Sequence, residues 1–161
     1  MASSVADNLW NAVFTAVTKL GLALTVDDVT VTVIQGKVPK AEEGLEVLPV
    51  IYVSPGPPGS QRHWDTGTQG LGKTWRKRNE YNVECVGIAS SDHDNTTGMG
   101  DYFSWREQIA QSTLVVPSTA GDPSVYDVEV VPGTVLDRPA WMANYDVTAI
   151  SFRFICIENA F

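Results

Sequence analysis

The stretch from Tyr145 to Ile157 constrains the fold more than any other part of the chain. Ile150, Phe152, Phe154 and Cys156 fall on every second position, and Arg153 interrupts the other set between Ser151 and Ile155. That period of two is the signature of a strand with one apolar face. A strand this long and aromatic needs sheet neighbours and a covering layer. The remaining patterns supply both. Val29, Val31 and Val33 alternate with Thr30 and Thr32, and Leu48-Pro49-Val50-Ile51-Tyr52-Val53 reads as a mainly apolar strand with Pro49 at its start, where a missing amide is tolerated. Trp75 to Val86 alternates again, with Tyr81, Val83 and Cys85 on one face, as does Tyr126, Val128 and Val130 against Asp127 and Glu129.

Two helices complete the set. Ser4 is placed to cap the first, with Asp7 three positions on, and Val5, Leu9, Val13, Ala16, Val17 and Leu20 form one stripe before Gly21 stops it. Asp101 is the expected cap of the second, whose apolar face is Tyr102, Trp105 and Ile109, with Phe103, Ala110 and Leu114 on the adjoining stripe. Helices at the start and middle of a strand-rich chain predict an α+β fold, a two-layer sandwich of a mainly antiparallel sheet packed by two helices. At 161 residues it is expected to be one domain, residues 1–161.

One segment does not fit a compact domain. Ser54 to Arg78 holds five Gly and three Pro, with Leu71 as its one aliphatic residue, so it buries too little apolar surface to offset its ordering entropy. It is expected to be a mobile arm. Within it, Gly67-Thr68-Gln69-Gly70-Leu71-Gly72-Lys73-Thr74 satisfies the phosphate-loop pattern GxxxxGK[ST]. The chemistry of that loop needs a buried strand entering it and a helix leaving it, whose amides hold the phosphates. Here the upstream residues Ser60 to Thr66 are polar and the downstream ones have strand periodicity. A nucleotide-binding enzyme is therefore the weaker alternative. The segment also carries Arg62, Trp64, Lys73, Trp75, Arg76, Lys77 and Arg78, with four of the chain's eleven Lys and Arg residues between positions 73 and 78. Cationic and aromatic residues together on an acidic protein suit a surface ordered by a partner; a solvated linker is the plainer alternative.

A net charge of −8 argues against clasping nucleic acid by phosphate neutralisation. Cys85 and Cys156 sit within apolar strand patterns, which predicts buried thiols and not a disulfide or metal pair. His93 stands between Asp92 and Asp94, but three adjacent residues do not share a side, and a polar turn is the expected reading. The residues contain no nucleophile turn or triad, so no catalytic residue, cofactor or metal is expected. Nothing approaches 18 consecutive apolar residues, so no membrane span is expected either, and the chain reads as made and kept in a cytoplasm-like compartment.

The order of parts resembles the phage tail terminators of the lambda-like family, small proteins that cap the tail tube. The likeness rests on the N-terminal helix, the Leu48-Pro49-Val50-Ile51-Tyr52-Val53 strand, the long loop, the Glu80-Tyr81-Asn82-Val83-Glu84-Cys85-Val86 strand and the second helix. It extends to the connection Leu136-Asp137-Arg138-Pro139-Ala140-Trp141 leading into the aromatic C-terminal strand. The strand Val29 to Val33 and the Gly-rich arm depart from that pattern. The resemblance implies a virion structural protein, assembled in the host cytoplasm as a homohexameric ring on the last ring of tail-tube protein. Such a ring stops polymerisation, meets a head-connector or neck protein, and lets DNA pass without specific binding. It implies no catalysis. A head-completion or neck adaptor is the nearest alternative. The expected subunit or partner interface combines the seven arm residues named above with Asp137, Arg138 and Trp141.

Overall fold

The computed structural model describes residues 4–25, 28–37, 48–56, 76–91, 98–114 and 125–159. They form α1 (Val5–Lys19), β1 (Ala23–Leu24), β2 (Val29–Thr30), β3 (Thr32–Gln35), β4 (Val50–Pro55), β5 (Arg76–Ser90), α2 (Met99–Leu114), β6 (Val125–Pro132), α3 (Arg138–Met142) and β7 (Tyr145–Asn159). The chain is α+β. β1 and β2 make a small ribbon, and the main sheet has the order β3-β4-β5-β7-β6. Only β3 and β4 run parallel; every other neighbouring pair in this sheet is antiparallel.

The spine is the β5–β7 pair, matched residue for residue from Arg76 opposite Asn159 to Ser90 opposite Tyr145. On one face Val83, Cys85, Ile150, Phe152, Phe154 and Cys156 meet Leu9, Val13 and Val17 of α1 and Tyr102, Trp105 and Ile109 of α2 in a single core. Phe152 and Phe154 are wholly buried, and each such burial contributes about 1.5–3 kcal/mol. Gly87 opens the slot for α2: a Cβ there would lie 3.2 Å from Thr148 Cγ2 and 3.7 Å from the Trp105 ring. The opposite face is apolar too, with Val50, Tyr52, Val86 and Ile88 buried together.

α1 starts as its sequence dictates. Ser4 is the N-cap, accepting from the Asp7 N–H at 3.2 Å and donating its hydroxyl to Asp7 Oδ2 at 2.9 Å. Three expectations need correction. α2 begins at Met99, after Gly98 at φ +82°, so Asp101 lies inside its first turn. Its carboxylate instead accepts from the Thr25 N–H at 3.0 Å and from the Thr25 hydroxyl, tying α2 to the β1–β2 connection. The Val29–Val33 pattern is two strands, because the Val31 N–H turns aside to Leu22 O while Thr32 begins pairing with β4. Phe103 is 49% exposed and does not share the apolar face of α2.

Cys85 and Cys156 are buried and form no disulfide with each other. Register explains why they remain separate: Cys85 lies opposite Ile150, and Cys156 opposite Asn79. Six residues of strand put them about 20 Å apart, far beyond disulfide reach. Burial, together with the neighbouring Glu84 charge, pushes the Cys85 thiol well above its ordinary range.

Candidate functional site

The expected interface residues that are described do not converge; they divide between the two ends of the β5–β7 spine. Arg76, Lys77 and Arg78 begin β5, opposite Asn159, Glu158 and Ile157. Asp137, Arg138 and Trp141 belong to α3 and its cap, immediately before β7 starts at Tyr145. Asp137 lies beside Val147 and Arg78 opposite Ile157, so ten residues of strand, about 33 Å, separate the nearest members of the two groups. Arg62, Trp64, Lys73 and Trp75 lie outside the described residues, as do the phosphate-loop pattern Gly67–Thr74 and His93. The expectation of an arm over Ser54–Arg78 fails at its two ends, where Ser54 and Pro55 close β4 and Arg76 to Arg78 open β5; residues 57–75 lie outside the described residues.

The α3 end is firmly tied. Asp137 is the N-cap, its carboxylate accepting from the Ala140 N–H at 2.8 Å, and Pro139 fits the first turn, where its missing donor costs nothing. The chain entering α3 runs beside β7, with the Asp137 N–H on Val147 O at 3.0 Å and the Ala149 N–H on Thr134 O at 2.8 Å. Arg106 of α2 fixes this connection. Its guanidinium donates to Gly133 O at 3.2 Å, Thr134 O at 3.1 Å, Thr148 Oγ1 at 3.1 Å and Ala149 O. Burial lowers its affinity for its proton relative to a free guanidinium, and carbonyl dipoles, not a carboxylate, hold the charge. Nearby, Tyr102 donates its hydroxyl to the buried Asp146 at 3.1 Å. Arg138 is exposed and Trp141 half-buried, while Met142 is 78% exposed.

Sequence reasoning missed Arg106. Its signal was available: it stands four residues after Tyr102 and next to Trp105, on the half of α2 that faces the sheet. The other end has less support. Gly56 N–H donates to Asn82 O at 2.8 Å, and beyond that point, back to Arg76, β7 is the only strand among the described residues that pairs with β5.

The sheet flanks differ as well. β6 is an edge strand in which a bulge between Val125 and Asp127 overturns the expected alternation. Val125 takes the inward place opposite Cys156, Val128 and Val130 remain against the core, and Tyr126 is turned out to 75% exposure. Asp127 and Glu129 are exposed beside it, Glu129 pairing with Arg153 at 3.2 Å.

Among the described residues no three His, Cys, Asp or Glu side chains group as metal ligands. A cleft of about 270 Å³ between α1 and β5 is lined by Asp7, Trp10, Glu80 and Tyr81, with Pro55 and Asn82 at its side. It offers two carboxylates and two aromatic rings. Thr74 is followed two residues later by β5, so the chain leaves the phosphate-loop pattern into a strand and not into a helix. No helix among the described residues is long and apolar enough to cross a membrane. No protein-family model matches the chain, and no curated protein is significantly similar to it.

Proposed function

We propose that this chain is a virion structural protein, a tail terminator that forms a homohexameric ring on the tail tube. The ring stops tube polymerisation and offers its far side to the head connector. The observation that carries the reading is the pair of chemically distinct ends on one rigid spine, the Arg76–Arg78 start of β5 and the capped Asp137–Trp141 turn. A ring subunit needs one kind of surface for its neighbours and another for the tube or connector, and these two ends are unlike. A ring also needs two different flanks that meet head to tail and close on rotation, and the two sides of the main sheet are unlike: β6 ends one, and on the other the start of β5 runs on past the end of β4. Net charge −8 suits a lumen that repels the DNA backbone as the genome passes. The strand that follows Thr74 weighs against nucleotide chemistry.

Electron microscopy of particles produced without this protein tests the proposal. Tails of unregulated length are the expected outcome. Tails of normal length that fail to join heads, or heads that leak, would instead identify a head-completion or neck adaptor.

A further inference from the structure

We infer that neighbouring copies join by strand addition, the outer edge of β6 in one copy receiving the Arg76–Arg78 start of β5 from the next. This rests on the ring reading above and names its contact surface. Among the described residues, ladder geometry leaves both edges without a strand partner in alternate residues. Ala149 of β7 donates toward the β6 side, so the odd-numbered residues of β7 face β6, and their partners Glu129 and Val131 bond inward. Val130 therefore directs its main-chain N–H and C=O, and Val128 its C=O, to the side away from β7, the Val128 N–H being held by Asp127 Oδ1 at 2.8 Å. On β5 the Asn82 carbonyl accepts from Gly56 on the β4 side, so Arg76 and Arg78, at the same parity, direct theirs to the flank that β4 has left. β4 does not extend along that flank: it ends at Pro55, and the residues after Gly56 are Pro57 and Pro58, which lack ladder donors.

Charge selects the pairing. From Val125 to Pro132 β6 carries Asp127 and Glu129 and no Lys or Arg, whereas β5 opens with Arg76, Lys77 and Arg78. Two β6 edges would set acid against acid, and two β5 starts would set base against base. β6 against β5 matches them. The bulge adds an anchor by presenting the Tyr126 ring, 75% exposed, beside the acidic pair, where an incoming guanidinium can stack. The two edges lie on opposite flanks of one sheet. The contact is therefore heterologous, the type that closes into a ring.

Charge reversal tests this in the intact chain by native mass spectrometry. Asp127→Lys/Glu129→Lys and Arg76→Glu/Arg78→Glu should each weaken self-association at least about tenfold, with melting temperatures near that of the wild type. Mixed in equal amounts, the two variants should recover it, because every contact in an alternating ring is then matched. Should Asp127→Lys disturb the bulge, Glu129→Lys mixed with Arg78→Glu carries the same test. Association unaffected by either reversal, or a mixture that stays apart, overturns the strand pairing. Failure of the ring reading looks different: a wild type that associates through these charges without closing a ring keeps the pairing and removes the ring, and rings indifferent to both reversals do the opposite.

Discussion

The two ends of the β5–β7 spine differ both in the residues they carry, Arg76-Lys77-Arg78 at one and Asp137 to Trp141 at the other, and in how they are held. At the α3 end, Asp137 caps a helix turn, Arg106 binds three main-chain carbonyls and a threonine hydroxyl, and Tyr102 reaches Asp146. At the other end the Arg76–Arg78 stretch has only β7 beside it among the described residues. Charge therefore plays two roles in one small domain. Where an arginine meets main-chain carbonyls on its own chain it fixes a turn; at the start of β5 the sequence sets Arg76, Lys77 and Arg78 on a strand that, among the described residues, pairs there with β7 alone.

The strongest way to break the contrast is Arg106→Ala. Four acceptors would lose a charged donor, and two of them belong to the connection between β6 and α3. The expected cost is about 2–3 kcal/mol, set by loss of charge-assisted hydrogen bonds in a partly buried place. Hydrogen exchange should quicken around Asp137, Val147 and Ala149 while the amides of Lys77 and Asn79, which face β7, keep their protection. Equal loosening at both ends would mean that the spine unfolds as one unit and that the two ends are not independently held.

How much of this could be read in the sequence depends on whether a residue's role was local. The Ser4 cap follows from positions three apart, and the buried Phe152–Phe154 face follows from period two; both were legible. Tyr126 was not, since a bulge inserts one residue against a strand met much later in the chain and reverses which side it faces. Asp101 had the right position for a cap, yet a tertiary partner at Thr25 took its carboxylate. The split at Val31 likewise depends on Leu22 O, a competitor that no local pattern announces. For the candidate interface, composition singled out cationic and aromatic residue types. It gave no hint that the spine would place the two groups at opposite ends.

A smaller change sharpens the comparison. Asp137→Ala removes the acceptor of the Ala140 N–H and should cost about 1 kcal/mol, as loss of an N-cap does. Asp137→Asn, which keeps an acceptor oxygen, should recover most of it. Because the Asp137 N–H still bonds Val147 O, the entry into α3 should persist while the helix turn frays. A melting temperature unchanged in both variants would show that Arg106 alone holds this end.

The smallest expected effect lies between the two ends, at Glu84, and it depends on pH. Burial raises its carboxyl above the ordinary carboxylate range, and Ser54, its cross-strand partner, is buried with its hydroxyl unpartnered. The folded chain thus holds this proton more readily than the unfolded chain does. Stability contributed by the protonated form is complete below the unfolded value of about 4.5 and is lost as pH rises through the higher folded value. Above that window the ionised carboxylate opposes folding. Glu84→Gln should therefore stabilise the protein at pH 7, by a few tenths of a kcal/mol once residual solvation is allowed for, and the gain should vanish near pH 4. Paired melting curves at pH 4 and pH 7 measure the difference directly. A variant less stable than wild type at pH 7 would mean that the ionised Glu84 has a stabilising partner in the folded chain, and middle and ends of the spine would then share the same use of charge.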